Sequence, residues 1–538
     1  MCHTDSKVVS GRTLRFIAAA AAWLLAAAAH AAVPGITGPA FDLSAEANRI
    51  NQPDGASVYS WGYGCHSIPA GYAPSGMTGA NCPTMQVPGP TLIVHQGDTV
   101  TVTLTNNLPA AAGNTSILFP GFAVQTGGGV PGMLTQEAAH GGTVTYTFVA
   151  TSPGTHAYYS GTQGDLQIEM GLYGAVVVLP TTVPAGCSPV AATLPDGQTD
   201  FRLAAAAYSH PQTCYDREYL FQFSEMDPAI HAQAEAQATM PCVLPGGCMM
   251  VATEPYHPAY FLINGRSAPD DMDPNYALLY PHQPYNANPH MHPGERVLIR
   301  QTGTGRWQHP FHEHANHLRV LARDGNLLLS ASDPLAATNG YTRLAGPLLF
   351  TTTTTPGQAM DSMFYWSGKG LNWDVYAHTA TGPGSVYNLD PGDPRYAAYN
   401  GKPVVCTPDA NGYYTADPMA PNYYEWCQDH NKPLEAHPFG AVGSGGPVTL
   451  PDPNILFNGT WYGGSPYLGP DATQRAVGFT GTTPPAGTVG NPPTTEAGFA
   501  YMWHSHNERE ITTNNIFPGG MMTIMLVDPQ TFVINESN

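Results

Sequence analysis

Two short histidine-rich stretches contain the residues best suited to chemistry in this sequence. The first stretch runs from His309 through His312 to His314, and the second contains His504 and His506 on either side of a serine. Alternate residues of a β-strand share a face, so each stretch presents two imidazoles to one side. If the two strands are neighbours, four imidazoles converge. Because imidazole clusters bind copper, zinc, iron or nickel, this spacing predicts a transition-metal site.

The composition of the chain favours short strands joined by turns. The 538 residues include 58 Gly and 52 Pro, and only 11% of them are charged. Low charge together with many Gly, Pro, Thr and Tyr residues favours short strands joined by turns over helices. The formal net charge of −20 disfavours nucleic acid and anionic membrane surfaces as partners. After the N-terminal region, no apolar run is long enough to predict a membrane span.

The N-terminal residues 1–31 have the pattern of a cleaved signal peptide. Basic residues, among them Arg12 and Arg15, precede an apolar run from Phe16 to Ala29, and a small-x-small cleavage site ends at Ala31. The two arginines are separated, which favours general secretion over the twin-arginine route. We therefore predict an exported protein, periplasmic or extracellular.

Export permits disulfide bonds, and the mature chain has an even number of cysteines with which to form them. Eight remain after the signal peptide is removed, and 105 pairings are open to eight cysteines. Pairing of neighbours in the sequence is the simplest hypothesis. It joins Cys65 with Cys82, Cys187 with Cys214, Cys242 with Cys248, and Cys406 with Cys427.

Strand patterns separated by turns recur along most of the mature chain. Residues 99–104 and 143–149 alternate threonine with apolar residues, and residues 175–179 are continuously apolar. Turn residues such as Gly97-Asp98 separate these segments. The pattern predicts an all-β fold of antiparallel sandwiches.

Several of these segments occur in the order found in the multicopper oxidases, and the chain resembles that family. The motifs are Pro88-Gly89-Pro90 before a strand, the Gly97-Asp98 turn, and a closing strand at 171–174 that reads Gly-Leu-Tyr-Gly. The resemblance implies tandem cupredoxin-like Greek-key β-sandwich domains. It predicts one domain at 33–182, a second at 198–380, an insertion or degenerate third domain at 381–497, and C-terminal strands at 498–538 that complete the last domain.

The resemblance also implies copper ligands, and this chain has only some of them. The family uses a blue site of two His and one Cys with a weak axial Met, and a trinuclear cluster held by eight His. On that pattern His312, His314, His504 and His506 match trinuclear ligands, and His309 matches a blue-copper ligand. Four first-domain ligands and the blue-copper cysteine are replaced. The positions concerned carry Leu118, Pro120, Tyr159, Gly161 and Ser505, with Glu510 in place of the second blue-copper histidine and Met521 or Met522 near the axial position.

A thiolate is required for blue copper, and four histidines cannot build an eight-histidine cluster. We therefore predict one or two ions, copper or another transition metal, on His312, His314, His504 and His506, with His309 as a weaker candidate. By alternation Glu313 points away from the histidine face, and we expect a surface or supporting role for it and for Glu508.

These observations leave more than one function open. The first is an oxidoreductase that differs from a standard laccase and takes electrons from a small molecule or a metal ion. The alternative is a non-catalytic metal-binding or interaction module on a cupredoxin scaffold. Hydrolysis at a zinc site, with Glu508 or Glu313 as base, has only the presence of those carboxylates to support it.

Overall fold

Strands dominate the computed structural model, which describes residues 33–74, 82–193, 199–244, 246–292, 294–366, 464–468, 497–528 and 534. Within these ranges the helices are short. They are α1 (Gly164–Gln167), α2 (Pro228–Gln237) and α3 (Ala336–Asn339), with 3-10 turns at Ala110–Ala112, Pro211–Thr213, Asp270–Met272 and Glu508–Ile511. Among the described residues, no helix combines the length and apolar character needed to cross a membrane.

The first sandwich packs two five-stranded sheets face to face. One sheet contains, in spatial order, β11 (Gly154–Tyr159), β12 (Tyr173–Leu179), β5 (Leu92–His95), β1 (Gly35–Thr37) and β4 (Gly71–Ala73). The other contains β3 (Ser57–Cys65), β2 (Ala40–Asn51), β6 (Thr99–Asn106), β10 (Thr143–Val149) and β7 (Gln125–Gly128). A small ribbon, β8 (Val130–Pro131) with β9 (Gln136–Glu137), lies outside both sheets.

Side-chain alternation builds the core of this sandwich. Along β6 the valines and the leucine are buried while the intervening threonines are exposed or half-buried. Trp61 and Tyr63 of β3 are fully buried and belong to the same cluster as Phe148 of β10. The apolar face of each sheet is thus covered by the other sheet, which confirms the all-β sandwich prediction.

The second sandwich contains the histidine-rich strands. One sheet contains β14 (Tyr260–Ile263), β13 (Arg217–Met226), β16 (Arg296–Gly303), β22 (Ala359–Tyr365), β18 (Leu318–Arg323) and β19 (Asn326–Leu327), with β20 (Leu348–Leu349) beside β18. The facing sheet contains β15 (His290–Met291), β25 (Met522–Val527), β24 (Ala497–Ser505), β17 (His309–Glu313) and β21 (Thr351–Thr354), with β23 (Gly464–Leu468) beside β24.

Two details differ from the sequence prediction. Several pairs are parallel rather than antiparallel, among them β12 with β5 and β13 with β16, because chain segments that cross between sheets return in the same direction. Strand β23 lies inside the predicted insertion at 381–497, yet it pairs along β24 in the histidine-bearing sheet.

Three disulfides join cysteines that are neighbours in the sequence. They are Cys65–Cys82, Cys187–Cys214 and Cys242–Cys248. These bonds confirm three of the four predicted pairs. Cys406 and Cys427 lie outside the described residues.

The two sandwiches contact each other through buried polar groups. The Asp361 carboxylate of β22 accepts hydrogen bonds from the backbone N–H of Thr155 at 3.0 Å and from its hydroxyl at 2.6 Å. The Tyr208 hydroxyl donates to the same carboxylate at 2.5 Å, and the Arg300 guanidinium lies 3.6 Å away. Because unpaired groups buried here would be costly, the contact fixes β11 against the second sandwich.

Candidate metal centre

The two histidine-rich stretches form neighbouring antiparallel strands of one sheet. In the pairing of β17 with β24, His312 is opposite His504 and Phe311 is opposite Ser505. Phe311 and Trp503 are buried in the core beneath the sheet, so the histidines occupy its other face. The register thus places the two histidine pairs next to each other on the same face of the sheet.

Four imidazole rings are grouped on this face. The ring centroid of His312 lies 5.0 Å from that of His314, 5.5 Å from that of His504 and 4.5 Å from that of His506. The His504 ring is 5.2 Å from His314 and 5.3 Å from His506. Of the predicted metal residues, the structure brings these four together.

The nitrogen atoms of three rings converge closely enough to share an ion. One ring nitrogen each from His312, His314 and His504 lie within 4.8 Å of one another. The His504 Nδ1–H donates to the backbone carbonyl of Ser505 at 2.8 Å, which leaves its Nε2 as an acceptor. That Nε2 lies 3.3 Å from the Nε2 of His314. Two such nitrogens facing each other require a proton or a metal ion between them.

Burial and charge keep the innermost histidine neutral. Burial lowers the pKa of His312 to about 3, and repulsion from His314, His506 and His504 acts in the same direction. Burial also lowers the pKa of His504. Neutral imidazoles offer the lone pair that a metal ion needs, whereas imidazolium ions do not.

The four histidines of the cluster differ in their exposure to solvent. His312 is buried, His314 and His504 are half-buried, and His506 is exposed. The Thr351 hydroxyl lies 2.9 Å from Nδ1 of His312 and supports that ring from the adjacent strand β21. A partner of this kind on the second nitrogen is usual for histidine ligands of metals. In donor type, convergence and support, the four imidazoles fit a copper ion.

His309 is in a different environment from the other four histidines. Its Nε2 lies 2.9 Å from a carboxylate oxygen of Glu225, and its Nδ1 lies 3.1 Å from one of Glu510. Burial alone lowers the pKa of His309, but hydrogen bonds and charge attraction from the two carboxylates outweigh it and raise the pKa to about 9. The two carboxylates therefore favour the protonated form of the His309 ring.

The residues predicted at the former blue-copper positions do meet in space. The Ser505 hydroxyl donates to Glu510 at 2.6 Å, and Glu510 contacts His309. Blue copper requires two imidazoles and a thiolate. Serine, a carboxylate and a protonated imidazole do not fit that ion.

In the first sandwich, the positions that correspond to the family's first-domain histidines carry other residues. Leu118 and Tyr159 form an antiparallel bridge, and Phe119 packs in the core. The Ser160 hydroxyl donates to Gln167 at 2.7 Å. Apolar and hydroxyl side chains thus occupy the positions where the family pattern has imidazoles.

The two carboxylates next to the histidines have opposite environments. Glu508 is exposed, as expected. Glu313 faces away from the histidines, as alternation predicts, and of the surface or supporting role expected for it only the surface position is wrong. It is fully buried between the sheets, where the Thr352 hydroxyl donates to it at 2.9 Å. Burial raises the pKa of Glu313 well above its ordinary value.

Glu225 is a residue of this region that the sequence did not indicate. It lies on β13, far in sequence from both histidine stretches, and its carboxylate is fully enclosed. The strand also carries Arg217, Glu218, Gln222 and Ser224, so the sequence gives no signal that sets Glu225 apart.

Comparison with known proteins identifies relatives of part of this chain. Residues 70–182 match the family model for multicopper oxidases. A segment of 97 residues, 17% of this chain, is 39% identical to Laccase-3 of Botryotinia fuckeliana and spans 20% of that protein. A segment of 98 residues, 18% of this chain, is 35% identical to Multicopper oxidase MCE of Talaromyces pinophilus and spans 15% of it. The matches thus span a fifth or less of these relatives.

A solved structure, the multicopper oxidase mgLAC, aligns with 92% of this chain and 87% of its own at 16% identity, with a TM-score of 0.44. The first sandwich thus contains a multicopper oxidase domain by its match to the family model, and two multicopper oxidases are similar to a segment of this chain. The resemblance predicted from the sequence is thereby confirmed for the first sandwich, and the match supports copper as the metal.

Proposed function

We propose that this chain is an exported copper-binding protein of the multicopper oxidase type, with one or two ions held by His312, His314, His504 and His506. The convergence of three imidazole nitrogens within 4.8 Å carries the proposal. Its chemistry is of the oxidoreductase class but differs from that of a standard laccase. Copper bound by these imidazoles would supply one-electron redox chemistry.

The protein side chains prepare the site for an ion. The Ser505 carbonyl fixes the His504 ring so that Nε2 faces the cluster, and Thr351 supports His312. The exposed ring of His506 marks the side from which a small-molecule or metal-ion electron donor reaches the site. Without a thiolate, no covalent path leads electrons from a second copper to these histidines.

The metal content of the purified protein tests this proposal. Protein isolated from its native compartment is expected to contain copper, and His312→Ala combined with His504→Ala is expected to abolish binding, because each strand then loses a ligand. Elemental analysis and equilibrium titration with Cu(II) measure this.

A matched control replaces two exposed histidines of the first sandwich, His66→Ala with His95→Ala, and should leave the stoichiometry unchanged. Unchanged stoichiometry in the His312/His504 variant would refute the proposed ligands. Native protein free of copper, zinc, iron and manganese would refute the metal site as a whole.

A second candidate function is a non-catalytic metal-binding module. The replacement of the thiolate and second imidazole of the blue site by Ser505 and Glu510 favours it, because that change removes the electron-collecting centre. Oxygen uptake by the copper-loaded protein with phenols, Mn(II) or Cu(I) as donors separates the two. Uptake that the His312/His504 variant lacks supports the enzyme, and none with any donor supports the binding module.

Two further predictions belong with this proposal. The three disulfides support export into an oxidising compartment. The pairing of β23 and β24 supports a second domain assembled from 198–380 and 498–538, with the 381–497 segment inserted and returning as an edge strand.

A further inference from the structure

Behind the histidine cluster lies a buried group of three ionisable side chains: Glu225, His309 and Glu510, here named the ion triad. His309 is enclosed between the two carboxylates at 2.9 Å and 3.1 Å, and none of the three side chains is exposed. The three residues come from different parts of the sandwich, namely the end of β13, the start of β17 and the turn at Glu508–Ile511. The triad therefore ties three separate elements together.

Both carboxylates of the triad have further protein partners. Glu225 accepts hydrogen bonds from the backbone N–H groups of Arg306 at 2.6 Å and Trp307 at 2.9 Å, and the Tyr256 hydroxyl oxygen lies 3.2 Å from the same carboxylate. Glu510 accepts from the Ser505 hydroxyl at 2.6 Å and from the Asn507 amide at 2.9 Å. Protein groups thus supply hydrogen bonds to both carboxylates, as buried ions require.

The outer end of the triad reaches the strand that carries the metal ligands. Ser505, which donates to Glu510, lies directly between His504 and His506. Its backbone N–H donates to the Met521 carbonyl at 2.9 Å, and the Met521 N–H donates to the Glu510 carbonyl at 2.7 Å. The Asn507 N–H donates to the Ser505 hydroxyl at 3.1 Å. The residue between the two ligands is therefore held on its side chain and its backbone.

We propose that the ion triad is a metal-free anchor that occupies the place of a blue-copper site and, through Glu510 and Ser505, positions His504 and His506 for the histidine cluster. His309 is then a structural cation and not a ligand, and Glu510 is a positioning residue. This inference rests on the proposed function for the positioning of the ligands. Its metal-free character stands independently of that function.

The positioning role is tested by Glu510→Gln, which keeps the size of the side chain and removes its charge. The expected result is Cu(II) binding about tenfold weaker or more, at unchanged stoichiometry, since loss of a supporting partner typically costs 10–100-fold in affinity. Glu508→Gln is the matched control, because Glu508 lies exposed in the same turn and should leave the affinity unchanged. Isothermal titration with Cu(II) measures both variants against the unchanged protein.

Ser505→Ala keeps the triad but removes its connection to the strand. It is expected to weaken Cu(II) binding in the same direction, and it keeps the test valid should the Glu510 variant fold poorly. Copper affinity equal to that of the unchanged protein in both variants would overturn the positioning role. If the unchanged protein binds no copper, the proposed function fails instead, and the two failures are thereby distinguished.

The metal-free character is tested by Ser505→Cys, which restores a thiol at the blue-copper position. Because both nitrogens of His309 are engaged and Glu510 replaces the second imidazole, the copper-loaded variant is expected to lack the intense visible absorption of a copper–thiolate bond. That absorption, if it appeared, would overturn the metal-free assignment. Nitrogen-15 NMR of histidine-labelled, metal-free protein should show a doubly protonated ring that disappears from the spectrum of a His309→Gln variant. A neutral His309 ring would also contradict the anchor.

Discussion

His309 and His312, three residues apart on one strand, have opposite electrostatic environments. Two carboxylates raise the pKa of His309 to about 9, whereas burial and three neighbouring imidazoles lower the pKa of His312 to about 3. The same side chain is thus held as a cation in one place and as a neutral donor in the other. For these two histidines, the surroundings decide between the cationic and the neutral form of the ring.

Glu169 allows a prediction of pH dependence at the level of one residue. Burial raises its pKa from 4.5 to about 8. The unfolded chain loses this proton near the ordinary value while the folded protein retains it, so stability falls as the pH rises from 4.5 towards 8. The loss is on the order of 3 kcal/mol by pH 7, from 1.36 kcal/mol per unit of pKa.

Glu169→Gln is expected to remove this part of the pH dependence, because an amide resembles the protonated carboxyl. The Tyr256 hydroxyl, now a donor to Glu169 at 2.6 Å, can accept from the amide and donate to Glu225. Urea unfolding at several pH values measures the difference. Glu254→Gln, an exposed substitution nearby, is the control, and parallel curves for Glu169→Gln and the unchanged protein would contradict the prediction.

Residue patterns predicted the four clustered histidines and their shared face, because alternation is a local property of strands. They did not predict the acidic partner Glu225, whose contact with His309 depends on the packing of β13 against a strand distant in sequence. The surface position, one of the two roles expected for Glu313, was a wrong prediction for a related reason. Burial depends on the covering sheet, which local sequence does not specify.

At the level of elements, the register of β17 against β24 brings the four histidines together. Alternation gives the face of each strand, but the pairing of His312 with His504 depends on tertiary structure, and a slip of one residue would move the histidines of one strand to the opposite face. The presence of strands and most turns follows from the sequence, whereas the parallel pairs and the edge strand β23 required the structure.

Gly520, in the turn that leads into β25, allows a prediction for this element. Its φ is +66°, and a Cβ there would lie 2.2 Å from the Glu510 carbonyl oxygen and 2.5 Å from that of Thr512. Gly520→Ala is therefore expected to lower the free energy of unfolding by about 3 kcal/mol or more, combining left-handed strain with a backbone clash.

Gly141→Ala is the matched control for the clash. Gly141 has a similar φ of +69° with nothing within 4 Å of the added carbon, so only the backbone strain of about 1–2 kcal/mol is expected. Equal losses in the two variants, measured by chemical unfolding, would contradict the clash at Gly520.

At the level of the whole molecule, buried hydrogen bonds make the two sandwiches depend on each other. Thr155→Val removes the hydroxyl that donates to Asp361 across the interface. The expected loss is about 1–3 kcal/mol of unfolding free energy, because a buried carboxylate oxygen loses a partner. Thermal unfolding followed by calorimetry measures it.

Thr147→Val is the control, since this half-buried threonine of β10 faces outward within the first sandwich. It should leave the unfolding transition near that of the unchanged protein. A Thr155 variant as stable as the Thr147 variant would show that the interface contact contributes little to stability.

The serine between His504 and His506 also matters for how the chain acquires its disulfides. All six cysteines in the described residues are paired, and Ser505 adds no thiol to them. A cysteine at that position would leave an unpaired sulfur nucleophile, able to attack the forming bonds and to exchange with them. Oxidation of that sulfur beyond the sulfenic stage would be irreversible. With serine there, oxidative folding and metal loading can proceed in the same compartment without competing for one sulfur atom.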